Sequence, residues 1–324
     1  MFVSRMLLLG GGKLNVANVF DLVTYTGNVS TQSVSTAFQS DLAIIKRRDS
    51  TGDWGWFDSE RGATELLSSN ATTAEATDAD TLTAFNLASV DLGADTKFNA
   101  SSASMIGMFF KKEAKFFDVV TYTGDGVSGR TLSHDLEQVP GLIIIKRRDS
   151  TGDWIVYHRS NTANPETDYL EINNTAGTVD DSTLWNDTAP SSTEFTVGNG
   201  AEVNASGGTY VAYLFAHDDS PIGIIQCGGY TGTGTAGNSV SLGWEPQWVM
   251  IKEADGVSNW EIIDSVRGEG ATDNRLLANL TNAEITGSNS VTFTSTGFDV
   301  EATGANDPNA SGSNYIYMAI KAES

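Results

Sequence analysis

Short apolar runs separated by turn residues make up most of this chain. Residues 142–146 (Leu-Ile-Ile-Ile-Lys) and 210–216 (Tyr-Val-Ala-Tyr-Leu-Phe-Ala) are rich in β-branched and aromatic side chains and are bounded by Gly, Asn, Asp and Ser. No stretch of eleven or more residues keeps the apolar spacing of a helix. Consecutive apolar positions, as in 142–145, are typical of a central strand covered on both faces. The pattern therefore predicts an all-β protein of short antiparallel strands.

The chain also repeats itself at an interval of about one hundred residues. Residues 44–54 and 144–154 carry the identical string Ile-Ile-Lys-Arg-Arg-Asp-Ser-Thr-Gly-Asp-Trp, and residues 248–260 carry a degenerate third copy. An Asn-Ala-Ser triplet recurs twice at a spacing of 105 residues and precedes an apolar strand each time; its asparagines are Asn99, Asn204 and Asn309. Self-similarity at a fixed period indicates a tandem array of like units.

These repeats predict an N-terminal arm at residues 1–15 and three antiparallel β-sandwich, jelly-roll-like repeats of about 100 residues. We call residues 16–114 unit 1, residues 115–218 unit 2 and residues 219–324 unit 3. The first two units share their strings almost verbatim, whereas the third has diverged. We therefore expect the third unit to pack differently from the others or to cap the array.

Composition excludes several classes of partner. Lys and Arg total 19 and Asp and Glu total 41, so the formal net charge is −22. That charge repels nucleic acid and anionic membrane surfaces, and no apolar run approaches the length of a membrane span. We expect neither nucleic acid binding nor membrane insertion. The single cysteine, Cys227, lies in an apolar run and is expected to be a buried thiol.

The landmarks of unit 2 resemble an uncharacterised tandem β-repeat family found in virion and tail-fibre-like proteins of marine bacteriophages. They are residues 122–126 (Tyr-Thr-Gly-Asp-Gly), 136–150, 152–158 (Gly-Asp-Trp-Ile-Val-Tyr-His), 185–190 (Trp-Asn-Asp-Thr-Ala-Pro) and 203–216. Unit 1 lacks the Trp-Asn-Asp-Thr-Ala-Pro segment, and unit 3 lacks the Arg-Arg-Asp. The resemblance covers nearly the whole chain beyond residue 15.

This resemblance implies a non-enzymatic structural protein at the surface of a phage particle, either fibre- or spike-like or decorating the capsid. The expected partners are other virion proteins, reached through the 1–15 arm, and a glycan of the host surface. Virion appendages follow the symmetry of the particle, so we expect a homo-oligomer, with a trimer as the natural form. The alternative is a carbohydrate-binding array of a secreted bacterial protein.

No catalytic constellation stands out in the sequence. The three histidines, His134, His158 and His217, have no metal-ligand spacing, and no paired carboxylates are singled out. Acidic turns such as 78–80 lack the pattern of a calcium loop, so solvated loops are the simpler interpretation. We expect no enzyme activity, no metal and no cofactor.

Recurring and non-recurring residues suggest different roles. Lys46, Lys146 and Lys252 end apolar strands and are expected to reach the carboxylates of Asp49, Asp149 and Asp255. The recurring Trp54, Trp154 and Trp260 are expected to pack in the core or at a strand edge. Aromatic residues that do not recur are the better candidates for stacking on sugar rings, with neighbouring polar groups binding the hydroxyls; the candidate ligand-binding residues are Trp56, Trp185, Asn186, Asp187 and Trp244.

Overall fold

The computed structural model describes residues 13–269, 273–303 and 308–323. All strand pairs in this part of the chain are antiparallel, and the few helices are single turns, so the expected all-β sandwich class is confirmed. The predicted N-terminal arm lies outside the described residues, apart from Lys13, Leu14 and Asn15. Among the described residues, no helix has the length and apolar character needed to cross a bilayer.

Unit 1 contains a large and a small sheet. Its elements are η1 (Val16–Asn18), β1 (Phe20–Thr26), β2 (Gln32–Ser35), β3 (Leu42–Arg47), β4 (Gly55–Asp58), β5 (Gly62–Leu67), β6 (Ala76–Thr77), β7 (Leu82–Asn86), β8 (Ser89–Leu92), α1 (Thr96–Asn99) and β9 (Ser104–Phe110). The large sheet has the order β1-β9-β3-β4-β5-β6, and the small sheet has the order β2-β8-β7.

Unit 2 has the same large sheet. Its elements are β10 (Phe117–Thr123), β11 (Arg130–Ser133), β12 (Pro140–Arg147), β13 (Trp154–His158), η2 (Pro165–Thr167), β14 (Asp168–Glu171), β15 (Val179–Asp180), α2 (Ser182–Trp185), β16 (Glu194–Val197), α3 (Ala201–Asn204) and β17 (Thr209–Ala216). The large sheet runs β10-β17-β12-β13-β14-β15, and β11 pairs with β16 in the small one.

Unit 3 follows the same plan. Its elements are β18 (Ile225–Thr231), β19 (Asn238–Ser241), β20 (Pro246–Glu253), β21 (Glu261–Asp264), β22 (Asn274–Leu277), β23 (Ile285–Thr286), β24 (Val291–Thr294), β25 (Gly297–Val300) and β26 (Asn314–Lys321). The large sheet has the order β18-β26-β20-β21-β22-β23, and the small sheet has the order β19-β25-β24. In all three units the last strand lies between the first and third strands, as a Greek-key-like crossover requires.

Each large sheet is buried on both faces, which explains its consecutive apolar residues. In β3, Ala43 and Ile45 face the small sheet of unit 1 and join a core with Phe98 and Phe109. Ile44 faces the other way, into a core that also contains Ile144 of unit 2 and Met250 of unit 3. We call the faces that meet in this shared core the inner faces. The inner faces of three sheets therefore pack against one another at the centre of the molecule.

A buried asparagine secures the first turn of each unit. Asn99, Asn204 and Asn309 are 1 %, 0 % and 0 % exposed. Each side-chain oxygen accepts a backbone N–H at 2.8–3.0 Å from the segment after the first strand, namely from Asn28, Asp125 and Thr233. Each amide nitrogen donates to a carbonyl six or seven residues earlier in its own unit. The recurring triplet thus supplies internal hydrogen bonds to turns that would otherwise hold unsatisfied buried groups.

Candidate functional site at the junctions between the units

Tryptophans at one recurring position link the three units in a cycle. The indole N–H of Trp54 donates to the carbonyl of Leu277 at 2.9 Å, and that of Trp154 donates to the carbonyls of Ser68 and Ala71 at 3.1 Å. The indole N–H of Trp260 donates to the carbonyl of Glu171 at 2.9 Å. Unit 1 therefore bonds to unit 3, unit 2 to unit 1 and unit 3 to unit 2, which closes an approximate threefold ring.

A closed ring has no end to cap. The expectation that the third unit caps the array finds no support, because unit 3 makes the same tryptophan contact as the others. The alternative expectation, that unit 3 packs differently, agrees with its junction with unit 2, which lacks the ionised network of the other two junctions, as described below. The expectation that Trp54, Trp154 and Trp260 lie in the core is confirmed, since each is at most 2 % exposed.

Three buried lysines repeat the same cycle. Lys46 donates from Nζ to the carbonyls of Gly52 in its own unit and Thr281 in unit 3, at 2.7 and 3.1 Å. Lys146 bonds in the same way to Gly152 and to Thr72 of unit 1. Lys252 bonds to the carbonyl of Glu253 at the end of its own strand, to that of Gly256 in the following turn and to that of Thr175 of unit 2. Each ammonium group thus ties the turn after its own strand to a carbonyl of the neighbouring unit.

The carboxylates expected to accept from these lysines have other partners. Asp49 pairs with Arg47 at 2.7 Å and Asp149 pairs with Arg147 at 2.9 Å, while Asp255 accepts from the amide of Asn314. The lysine side chains turn inward because their strand position belongs to the inner face, where all three are 0 % exposed. Burial lowers the pKa of Lys46, Lys146 and Lys252 to about 8.

These lysines predict a rise of stability in mild alkali. The folded state releases its lysine protons near pH 8, whereas the unfolded chain holds them to about pH 10.5. Because the unfolded state then binds more protons, the free energy of unfolding increases with pH between these values, by up to about 2 kcal/mol per lysine from about pH 7.5 to 9.5. Below pH 8 the burial penalty is fully present.

Urea unfolding of the wild type and of Lys146→Met at about pH 7.5 and 9.5 checks this expectation. The wild type should gain more stability across the interval than the variant, which lacks one of the three titrating groups. An equal gain in both proteins would contradict it. The pH range ends at about 9.5 because burial raises the pKa values of Tyr122 and Tyr213 in the folded protein. These tyrosines therefore ionise more readily in the unfolded chain, which favours unfolding at higher pH.

Four ionised side chains form a buried network at the junction of units 1 and 2. Arg148 of unit 2 bonds Glu75 of unit 1 at 2.7 Å, and Glu75 also bonds Arg61 at 2.8 Å. Arg61 pairs with Asp58, both with fully buried side chains, and Asp58 accepts from the hydroxyl of Tyr213 in unit 2. Burial alone would raise the pKa of Glu75, but hydrogen bonds from Arg148 and Arg61 lower it below its ordinary value.

The junction of units 3 and 1 repeats this network with Arg48, Glu284, Arg267 and Asp264. Arg48 bonds Glu284 at 2.8 Å, Glu284 bonds Arg267 at 3.2 Å, and Arg267 pairs with Asp264. In both networks the backbone N–H of the glutamate donates to the carbonyl of the first arginine at 2.8 Å. The two junctions are therefore equivalent in backbone and in charge.

The junction of units 2 and 3 keeps the backbone geometry but carries no charge at these four positions. The N–H of Thr178 donates to the carbonyl of Ala254 at 2.7 Å, so these residues occupy the positions of the glutamate and the first arginine. His158 occupies the position of Asp58, and Asn161, three residues later, occupies the position of Arg61. His158 bonds the carbonyl of Tyr317 at 3.0 Å, and burial lowers its pKa to about 3, so it is neutral.

A small void of about 20 Å³ lies where the three inner faces meet. Its lining comes from all three units and is apolar apart from Ser69; it includes Trp54, Trp56, Ile144 and Trp248. Although the volume would admit one water molecule, a buried water needs two to four polar partners. The centre of the ring is therefore packed core and offers no chamber for a ligand.

The predicted sugar-stacking tryptophans are buried, so that prediction is wrong. Trp56, Trp185 and Trp244 are 4 %, 2 % and 4 % exposed. Tryptophan does not recur at the equivalent positions of the other units. For Trp56 and Trp244, however, the position in the fold does recur, occupied by another buried residue. Trp56 pairs with Ile44 as Val156 pairs with Ile144, and both Trp56 and Val156 lie in the shared core. Trp244 lies four residues before Trp248 as Phe38 lies before Leu42, and Trp244 and Phe38 lie in the separate cores of units 3 and 1.

The polar neighbours of Trp185 shape a turn. Asn186 ends α2 in the left-handed conformation with φ 54°, and its side-chain oxygen accepts from the hydroxyl of Ser128 at 2.7 Å. Asp187 also has positive φ, 46°, and is exposed. Trp185 turns inward and packs edge-on against Tyr157 at 5.8 Å. The structure thus leaves Asp187 on the surface, while the ring face of Trp185 is turned away from solvent.

A polar groove, which sequence reasoning missed, opens at the uncharged junction of units 2 and 3. It has a volume of about 360 Å³ and is lined by residues 160–163 of unit 2 and by residues 229–231, Asn314 and Tyr315 of unit 3. Asn161 is 7 % exposed, and its amide nitrogen has no hydrogen-bond partner within the described part of the chain. The sequence feature that could have predicted this groove is the departure from the repeat pattern at Asn161, Gly228 and Gly229.

Candidate metal ligands do not cluster in the part of the chain that the structure describes: no group of three or more His, Cys, Asp or Glu residues could hold an ion there. Cys227 is buried, as expected, and burial raises the pKa of its thiol, which makes it a poor nucleophile.

Three six-stranded antiparallel sheets whose inner faces share one core define the architecture of the described part of the chain. The chain belongs to the family described as Domain of unknown function (DUF7483), whose model matches residues 15–324. A single match therefore spans all three large sheets. A comparison with curated proteins gives no match.

Proposed function

We propose that this chain is a non-enzymatic structural protein at the surface of a bacteriophage particle, fibre- or spike-like or decorating the capsid. The observation that carries the proposal is the closed cycle of tryptophan and lysine contacts. Each unit is held by both of its neighbours, so no unit forms a free end at which local unfolding would begin. Such a body suits a part that must endure outside a cell while its outer loops remain available for contact.

The acidic surface is consistent with this role. A net charge of −22 favours solubility and disfavours adsorption to nucleic acid. Attachment through residues 1–15 to other virion proteins and contact of the outer surface with a host glycan are parts of the same proposal. The alternative, a secreted bacterial sugar-binding array, loses the support of Trp56, Trp185 and Trp244, because burial removes their ring faces from solvent.

Immunogold labelling tests the location on the particle. Antibody raised against the purified chain is applied to gradient-purified particles of a phage that encodes it, with antibody pre-absorbed on the chain as the control. Label on the tail or at a vertex supports a fibre or spike, and uniform label on the head supports decoration. Unlabelled particles that also lack the chain by mass spectrometry would refute the proposal.

Self-association is the second part of the proposal. One chain has a mass of 34.4 kDa and already contains three units in a ring. We expect light scattering after size exclusion to give about three times this mass, as for a trimer on a particle axis. A mass of one chain at all concentrations would contradict the trimer and show that the three units of one chain form the complete assembly.

A further inference from the structure

We propose that the groove between units 2 and 3 binds a neutral sugar residue. The groove is formed by residues 160–163, residues 229–231, Asn314 and Tyr315. A sugar bound here would be the host glycan of the proposed function, so the biological role of the site rests on that proposal. The existence of the site rests only on the geometry of this junction.

Two local departures from the repeat occur at the walls of the groove. In the first strand of the other units, Thr24 pairs with Ile106 and Thr121 pairs with Val211, whereas Gly229 pairs with the equivalent Ile316. Gly229 is exposed, and a Cβ there would lie 3.0 Å from the carbonyl oxygen of Tyr315 and 3.4 Å from Cβ of Ser160, so the glycine lets units 2 and 3 approach closely. On the opposite wall, the shorter Asn161 occupies the position that Arg61 and Arg267 fill in the ionised networks.

The residues that line the groove are uncharged, but two of them bond carboxylates behind the walls. Thr162, Thr231 and Asn314 are exposed; the hydroxyl of Thr162 donates to Asp168, and the amide of Asn314 donates to Asp255. The unpartnered amide nitrogen of Asn161 lies beneath the wall, with almost no surface accessible to water. Leaving such a buried donor unpaired costs about 1–3 kcal/mol, and a ligand hydroxyl gains this energy where the wall moves to admit it.

A tyrosine pair fixes the wall that unit 3 contributes. Tyr230 stacks on Tyr315 with centroids 5.0 Å apart and an interplanar angle of 12°, and its hydroxyl donates to the carbonyl of Pro308. The ring of Tyr230 packs into the core of unit 3, edge-on against Phe298, so it holds the strand that forms the wall in place before a ligand arrives, which reduces the entropic cost of binding.

The ligand class follows from charge and size. The net charge of −22 repels anions, and an apolar ligand would leave the polar walls without partners. A volume of about 360 Å³ falls within the roughly 300–1,000 Å³ of small-molecule pockets. A neutral compound with several hydroxyl groups, such as a hexose at the end of a glycan, satisfies these conditions.

Saturation-transfer difference NMR on the full chain tests the site. The probes are the methyl glycosides of glucose, galactose, mannose and N-acetylglucosamine. Thr231→Arg places a long side chain across the groove, and Thr123→Arg makes the same change at the equivalent exposed position of unit 2. Asn161→Leu removes the amide at nearly constant size. Thermal unfolding establishes that each variant is folded.

We expect at least one glycoside to bind the wild type and Thr123→Arg equally, and to bind Thr231→Arg and Asn161→Leu at least tenfold more weakly. Unchanged binding by folded Thr231→Arg, or no transfer to any of the four probes, would overturn the proposal. Particle labelling is an independent readout: sugar binding without label would refute the particle role alone, and label without sugar binding would refute the groove alone.

Discussion

Replacing Trp154 with alanine should lower the free energy of unfolding by about 3–5 kcal/mol, the usual range for removing a large buried aromatic side chain. Trp154 is 0 % exposed, and its ring lies 5.2 Å from that of Trp56 in unit 1. The variant loses both this packing and the hydrogen bonds to the carbonyls of Ser68 and Ala71. Since domains are typically stable by only about 5–15 kcal/mol, the effect should be large.

The same substitution tests whether the three units unfold together. Because the inner faces share one core, the change in unit 2 should shift a single transition of the whole chain, followed by circular dichroism in urea. Leu87→Ala, at an 82 % exposed position of unit 1, is the control and should leave the midpoint nearly unchanged. A two-step transition in which only one step moves would show that the units are energetically independent.

The second large effect concerns the ionised network between units 1 and 2. Asp58→Ala should cost about 3–5 kcal/mol, because it removes the fully buried carboxylate that pairs with Arg61, leaves Arg61 only the carboxylate of Glu75, which Arg148 shares, and removes the acceptor of Tyr213. Replacing all four members by the residues of the uncharged junction, Asp58→His, Arg61→Asn, Glu75→Thr and Arg148→Ala, should cost less than this single change. Buried ion pairs are often replaceable as a set, even where the loss of one member is costly.

Urea unfolding of the single and fourfold variants gives the comparison. Asp264→Ala in the equivalent network should behave as Asp58→Ala does, whereas Lys97→Ala, at a surface pair, should change stability by less than about 1 kcal/mol. A fourfold variant less stable than Asp58→Ala would mean that the uncharged junction depends on its own loop conformations as well as on its side chains.

Strand content and the two-sided burial of the large sheets followed from the sequence. Consecutive apolar residues such as those of β12 need cover on both faces, and this requirement is local enough to be seen in the chain. The role of Trp54, Trp154 and Trp260 as core residues followed for the same reason, because recurrence at a strand position indicates a common environment.

The tryptophans predicted to bind sugar because they do not recur proved to be buried. Trp56 occupies an inner-face position that Val156 and Ile262 share, so its burial depends on strand register and not on residue type. The lysines were assigned to nearby carboxylates, but their partners are carbonyls of the next unit, such as Thr281 for Lys46. Sequence distance gave no hint of a partner 235 positions away.

By itself, the sequence determined the all-β class, the covered sheets and the recurring core tryptophans, since these depend on short-range patterns of apolar and turn residues. Only the tertiary structure decided that the units close into a ring, that two junctions are ionised and one is neutral, and that a polar groove opens at the neutral one. Those features depend on contacts between units, and side chains from distant segments meet only when the three inner faces pack together.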